Sequence, residues 1–211
     1  TAYGQNAIAM GPATQVAGNN SGGFGTSQSI VGTSSYGIGY GNAISGNGNS
    51  LLGSNNGLNA GGTAGWGDNV NVVGSSNSVA ATANASGSAI LGNGNTVNGQ
   101  NAIAVGNNTT VTGATALAIG FNAQSSGQNA IAIGTNAVSA ANSVVIGPGA
   151  TDNNFVNAAV YGPGAQVGAA GNVAIGNGAS AAGANSVAIG DSSAALGANS
   201  TAIGRGATTL A

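Results

Sequence analysis

The sequence predicts an all-β chain, a β-solenoid of about 14-residue coils. Three observations carry this reading. Glycines close a short apolar run at a fixed interval: from Gly92 they step by 14, 14, 14, 13, 15, 14, 14 and 14 residues to Gly204. Before each of them apolar and small side chains alternate, as in Ile131-Ala132-Ile133 and Val187-Ala188-Ile189, and a period of two marks a strand. All three prolines, Pro12, Pro148 and Pro163, directly follow a closing glycine. There the fixed φ suits a turn and no ladder needs the missing N–H.

Each unit then follows in order. The main strand ends at the closing glycine. A second pulse of small residues, such as Ala137 and Ser139 or Ala179 and Ala181, makes a shorter strand. A Gly or Ser-Gly turn leads into the next unit. Two strands and two turns make one coil, and stacking equivalent strands in parallel at about 4.8 Å satisfies their backbone groups. The string Gly-Gln-Asn-Ala-Ile-Ala-x-Gly recurs at 4–11, 99–106 and 127–134. Residues 88–211 read as the regular array and 1–87 as an irregular, loop-rich part of one continuous solenoid. In that first part Gly11, Gly25, Gly39, Gly53 and Gly67 also fall 14 apart, but some of their apolar runs are degraded. Good runs also end at Gly32 and Gly74, and the phase slips around 77–80, which implies an interrupted array with longer loops. The Gly/Asn/Ser stretches at 17–28, 41–49 and 54–65 are either protruding loops with binding roles or neutral spacers.

Composition closes off most chemistry. The 211 residues include 41 Gly, no Cys, no His and four charged side chains, Asp68, Asp152, Asp191 and Arg205. Thiolate and imidazole metal sites and base-assisted nucleophiles are excluded, as is a Walker-type phosphate loop, which needs a Lys. One Arg does not neutralise a nucleic-acid backbone. The three Asp lie several coils apart and read as solvated turn positions, not as a metal or acid/base set; Arg205 reads as a solvated turn residue or a contact to a partner chain. Short patterns such as Gly46-Asn47-Gly48 are background in so glycine-rich a chain. No cofactor and no enzymatic activity are expected. No apolar run approaches the ~20 residues of a membrane span, and the first residues, Thr1-Ala2-Tyr3-Gly4, lack a signal peptide's basic and apolar regions.

A coil of two strands is thin, so its interior holds mainly small side chains. Either the Ala/Ser row of the main strand lines that interior and the Ile/Val row forms an exposed stripe, or the reverse; thinness favours the first. Such a stripe exceeds the apolar patch a soluble monomer tolerates. Lateral association with closed cyclic symmetry is therefore expected, with Ile103, Ile119, Ile131, Ile133, Val173, Ile175, Val187, Ile189 and Ile203 as the trimer or core packing residues.

The motif Asn185-Ser186-Val187-Ala188-Ile189-Gly190, repeated with this period, resembles the head repeat of trimeric autotransporter adhesins, the YadA-like heads. The resemblance is strong over 88–207 and weak over 1–87. It implies a left-handed parallel β-roll assembled as a homotrimer on the surface of Gram-negative bacteria. It also implies adhesion to extracellular matrix proteins, host cells, other bacteria or abiotic surfaces. The chain stops inside a repeat, at Gly204-Arg205-Gly206-Ala207. It is thus expected to be a head fragment, anchored in the outer membrane by a neck, stalk and barrel that it lacks, with no membrane contact of its own.

Tyr3, Phe24, Tyr36, Tyr40 and Trp66 gather in the first third, which the resemblance places distal to the cell. They form a candidate adhesive surface, or else cap the open end and pack under longer loops. Tyr161, replacing the usual Ile of its row, reads as packing. An ice-binding β-solenoid is the alternative function, but Thr109, Thr110 and Thr112 form no long rank. A solenoid enzyme lacks its charged residues, and a silk-like fibre needs no fixed phase.

Overall fold

A computed structural model describes residues 1–58, 66–80 and 82–210. Among them there is no helix, and every regular element is a short parallel strand. Two compact units are present, Thr1–Asn108 and Thr109–Ala211.

In the first unit the main strands are Ile8–Met10, Gly22–Thr26, Tyr36–Tyr40, Ser50–Ser54, Asn71–Ser75, Ala89–Leu91 and Ile103–Val105. They pair in parallel in chain order, so that Tyr36, Ile38 and Tyr40 stand beside Ser50, Leu52 and Ser54. Two-residue strands, from Gln15–Val16 to Thr96–Val97, form a second parallel sheet. In the second unit the main strands run from Leu117–Ile119 through Ile131–Ile133, Val144–Ile146, Ala159–Tyr161, Val173–Ile175 and Val187–Ile189 to Thr201–Ile203. Each coil turns two corners in left-handed backbone, at positions such as Asn122 and Asn129, or Asn136 and Asn142. Asn tolerates that conformation, which explains its abundance.

The inward row decides the packing, and the thin-coil assignment holds in the second unit save at Val145 and Val160, which also point inward. In the second unit Ala118, Ala132, Ala174, Ala188 and Ala202 are buried, facing Ser125, Ser139, Ala181 and Ala195 of the short strands. In the first unit the same space is filled differently. Where the main strand offers Gly23 and Gly37, the short strands supply Ile30 and Ile44; elsewhere Leu51, Val72 and Ile90 meet Leu58, Val79 and Val97. A Cβ on Gly23 would lie 2.9 Å from Val16 Cγ2 and 3.3 Å from Ile30 Cδ1. Close-packed interiors leave no space for both.

The first unit also buries amides. Asn56 Nδ2 donates to Asn42 Oδ1 (3.0 Å) and to the Gly74 carbonyl (2.8 Å), while Asn56 Oδ1 accepts from the Asn77 N–H (3.0 Å) and from Asn77 Nδ2 (2.9 Å). Replacing Asn56 with Ala strands the Asn77 N–H and the Gly74 carbonyl in the interior. The expected loss is about 2 kcal/mol of stability in denaturant unfolding; a loss under about 0.5 kcal/mol would show that the ladder carries no net stability.

Three sequence expectations need correction. The closing glycine after Gly53 is Gly74, not Gly67: Gly53 pairs with Gly74, and Gly67 stacks under Gly46 at the other corner. The coils there span 21 and 18 residues, with the extra residues placed after the short strand. The stretches 17–28 and 41–49 are not protruding loops: they contain the strands Gly22–Thr26 and Ala43–Ile44. Part of the third stretch, 59–65, lies outside the described residues, while 54–58 completes one strand and forms another. Asp152 is not a solvated turn residue; it is wholly buried. The register Val138–Thr151–Gln166 places Thr151 on the short-strand sheet, so Asp152 follows Ser139 and precedes Val167 in the inward row.

Candidate functional site

The outward rows of the main strands form the molecule's most distinctive surface. In the second unit one row is Leu117, Ile131, Val144, Ala159, Val173, Val187 and Thr201. The other is Ile119, Ile133, Ile146, Tyr161, Ile175, Ile189 and Ile203. These side chains are half-buried or exposed, up to 68% for Ile203. In-register stacking brings each aliphatic beside its equivalent in the next coil, so the apolar surface is continuous. The nine residues expected in trimer or core packing, Ile103 among them at 44% exposure, all lie on outward rows. None belongs to the core of its own chain. Tyr161 stands between Ile146 and Ile175 in its row.

In the first unit this face is wider, because four of its main strands are five residues long. Three outward rows result. Phe24, Ile38, Leu52, Val73, Leu91 and Val105 form the middle one; Tyr36 and Tyr40 flank Ile38 on either side. Gly22 makes room for the rings: a Cβ there would approach Phe24 Cε2 to 2.9 Å and Tyr36 Cδ1 to 3.0 Å. A shallow trough of about 290 Å³ runs over this face, lined by Tyr36, Ile38, Ser50, Leu52, Asn71 and Val73. A second of about 230 Å³, lined by Val73, Leu91, Ile103 and Val105 among others, adjoins it at Asn71 and Val73.

The structure thus divides the five candidate adhesive aromatics. Phe24, Tyr36 and Tyr40 belong to the same sheet face as the aliphatic rows; they neither cap an end nor lie under loops. Tyr3 precedes the first strand and is 69% exposed. Trp66 sits apart in a corner turn, where its carbonyl accepts the Ala85 N–H at 2.7 Å. Ile8, Met10, Ile38, Leu52, Val73 and Leu91 share the face but escaped the sequence reading. The alternation Tyr36-Gly37-Ile38-Gly39-Tyr40 was the available signal, masked because glycine occupies the inward positions.

The charged residues make no chemical centre. Among the described residues no group of acidic or thiol ligands is able to hold a metal. Asp68 Oδ1 accepts the Asn47 N–H at 2.7 Å as part of a corner ladder. Arg205 Nε lies 3.5 Å from Asp191 Oδ2, one coil away, both groups well exposed, so the pair contributes little. Burial pushes the Asp152 carboxyl above its ordinary value, against the backbone N–H groups of Ala140 and Asn154 and the Ser143 hydroxyl, which favour the ionised form. Thr109 is buried, Thr110 half-buried and Thr112 exposed, so the three form no exposed rank.

A family model for the YadA head domain repeat (two copies) matches residues 2–21, 91–109, 112–137, 173–193 and 181–207. No curated protein matches the chain. The matched segments fall in both units and include the closing glycines Gly11, Gly92, Gly106, Gly120, Gly134, Gly176, Gly190 and Gly204, while residues 22–90 and 138–172 lie outside them. Proteins with these heads are surface-exposed adhesins and not enzymes. With its parallel coils, inward alanines and outward aliphatic rows, the chain is a YadA-like head domain, of the kind carried by trimeric autotransporter adhesins.

Proposed function

We propose that this head works as a homotrimer, its coils left-handed, on the outer membrane surface of a Gram-negative bacterium. In that role it attaches the cell to extracellular matrix, host cells or abiotic surfaces without catalysis. The observation that carries the reading is the outward face. Continuous rows of half-exposed Ile, Val and Leu favour burial against copies of themselves, and closed symmetry satisfies every copy without leaving an open end. On this reading Phe24, Tyr36 and Tyr40 pack between chains. Adhesion then falls to the outer sheet, to the corners and to residues such as Tyr3 and Trp66. Many weak contacts repeated over three chains multiply through avidity.

The chemistry of those contacts follows from composition. Charged residues are 2% of the chain and the formal net charge is −2. Apolar and hydrogen-bond contacts therefore dominate over ionic attraction, and attachment is expected to be insensitive to salt. Binding of the head to matrix-coated and bare polystyrene, measured between about 0.01 and about 1 M salt, checks this across the range over which screening is set up. Retention within about twofold is the expected result; a loss of tenfold or more, the mark of ion pairing, would contradict it.

A further inference from the structure

The wide face of the first unit carries a correspondence that its apolar middle row does not require. Each of its four five-residue strands ends alike on both sides. Gly22 stands across from Thr26, Tyr36 from Tyr40, Ser50 from Ser54 and Asn71 from Ser75. Small residues thus match small ones, aromatic match aromatic and polar match polar. The middle row between them, Phe24, Ile38, Leu52 and Val73, is apolar at every level. Packing within the chain does not impose the match. Tyr36 and Tyr40 are 47% and 54% exposed, and Ser50 and Asn71 are exposed too.

A match between the two edges of one face suits a heterologous contact, in which one patch of each copy meets a different patch of the next and rotation closes the ring. When the rotation axis runs along the direction of coil stacking, every coil stays level with its copies. One flanking row then meets the other flanking row of the next copy, and the middle rows turn towards the axis. A two-fold axis along the strands would instead set each row against itself in reverse order, and the two flanking rows would never meet. The relief of the face agrees with the first arrangement. The trough of about 290 Å³ opens beside Tyr36, over the short side chains of Ser50 and Asn71. Tyr40 stands in its row between the smaller Thr26 and Ser54.

We propose that the two flanking rows are the halves of one contact between copies of this chain. Tyr36 of each copy packs against Tyr40 of the next, and Ser50 and Asn71 lie level with Ser54 and Ser75 of the next. The inference rests on the homotrimer proposed above and adds direction and register to it: in the first unit the copies run parallel and flush. Aromatic pairs attract beyond the area they bury, and serine or asparagine opposite serine forms hydrogen bonds across the contact. A slip by one coil leaves each ring facing Thr26 or Ser54 of the next copy and loses the aromatic pair. The tyrosine level therefore fixes a register that the apolar middle row leaves free.

The chain has no cysteine, so one thiol per copy reports only on contacts between copies. Ser50→Cys and Ser54→Cys chains are made separately and co-expressed, treated with a short bismaleimide, and read on a denaturing gel. The solution mass of the unmodified chain is measured alongside. A two-chain product is expected in the co-expressed sample and not in either variant alone, with a mass of three chains. Asn71→Cys co-expressed with Ser54→Cys, one coil out of level, is expected to give the weaker product. A product in either variant alone, or a stronger one from the out-of-level pair, would overturn the proposal. A mass of three chains with no product would overturn the paired rows and leave the trimer standing; a mass of one chain would overturn both.

Discussion

Gly176→Ala is expected to lower the stability of the second unit by about 3 kcal/mol or more, and Gly178→Ala by only about 1 kcal/mol. Both glycines have positive φ, +137° and +61°. Their surroundings separate them. A Cβ on Gly176 would lie 2.3 Å from the Gly190 carbonyl oxygen and 2.5 Å from its carbon, whereas one on Gly178 meets nothing within 4 Å. The obstruction at Gly176 is backbone of the next coil, itself held in a parallel ladder, so it has no side chain to rotate away. Gly178→Ala carries the conformational cost alone. Thermal or denaturant unfolding of the two variants tests the difference. Equal losses would mean that the closing glycine is selected for φ and that the tight stacking of coils sets no constraint.

The second expected result concerns association. Ile133→Asp, and separately Ile189→Asp, are expected to leave each chain folded and to abolish lateral assembly. Both positions face outward and are half-buried, so a carboxylate there reaches water in the single chain. In the trimer proposed above, the same carboxylates are carried into an apolar contact, close to their copies and without partners. An unpaired buried charge costs several kcal/mol, more than the contact of one side chain returns. Gln124→Glu, exposed on the other sheet, changes charge as much and is expected to leave assembly intact. Loss of assembly in that variant too would assign association to the whole charge of the chain and not to the main-strand face.

Much of the fold was legible in the sequence for a mechanical reason. A solenoid repeats each constraint in every coil, so the alternation at Ile131-Ala132-Ile133 and the breaks at Gly134 and Gly147 announce themselves by recurrence. The choice of inward row was legible because two strands enclose little volume. What escaped were positions where one constraint is met by unlike residues. Gly37 with Ile44, and Leu51 with Leu58, fill the same layer, yet as strings they look unrelated. Asn42 and Asn56 fell within stretches read as loops or spacers; the ladder they form with Asn77 exists only once coils are stacked. The slip from Gly67 to Gly74 was hidden by glycines at both corners, which keep a spacing of 14 across an inserted segment. Asp152 looked like a surface residue on composition alone, and only the register Val138–Thr151–Gln166 puts it inside. The outward face was legible as two rows where Ile and Val recur. It was illegible where Phe24, Tyr36 and Tyr40 replace them.

The most direct test of the outward face as an association surface is the solution mass of the head, by light scattering on a sizing column. The unmodified chain is expected to elute at the mass of three chains, and Ile133→Asp at that of one. A single-chain mass for the unmodified protein would contradict the account, because the aliphatic rows would then stand in water with no copy to cover them.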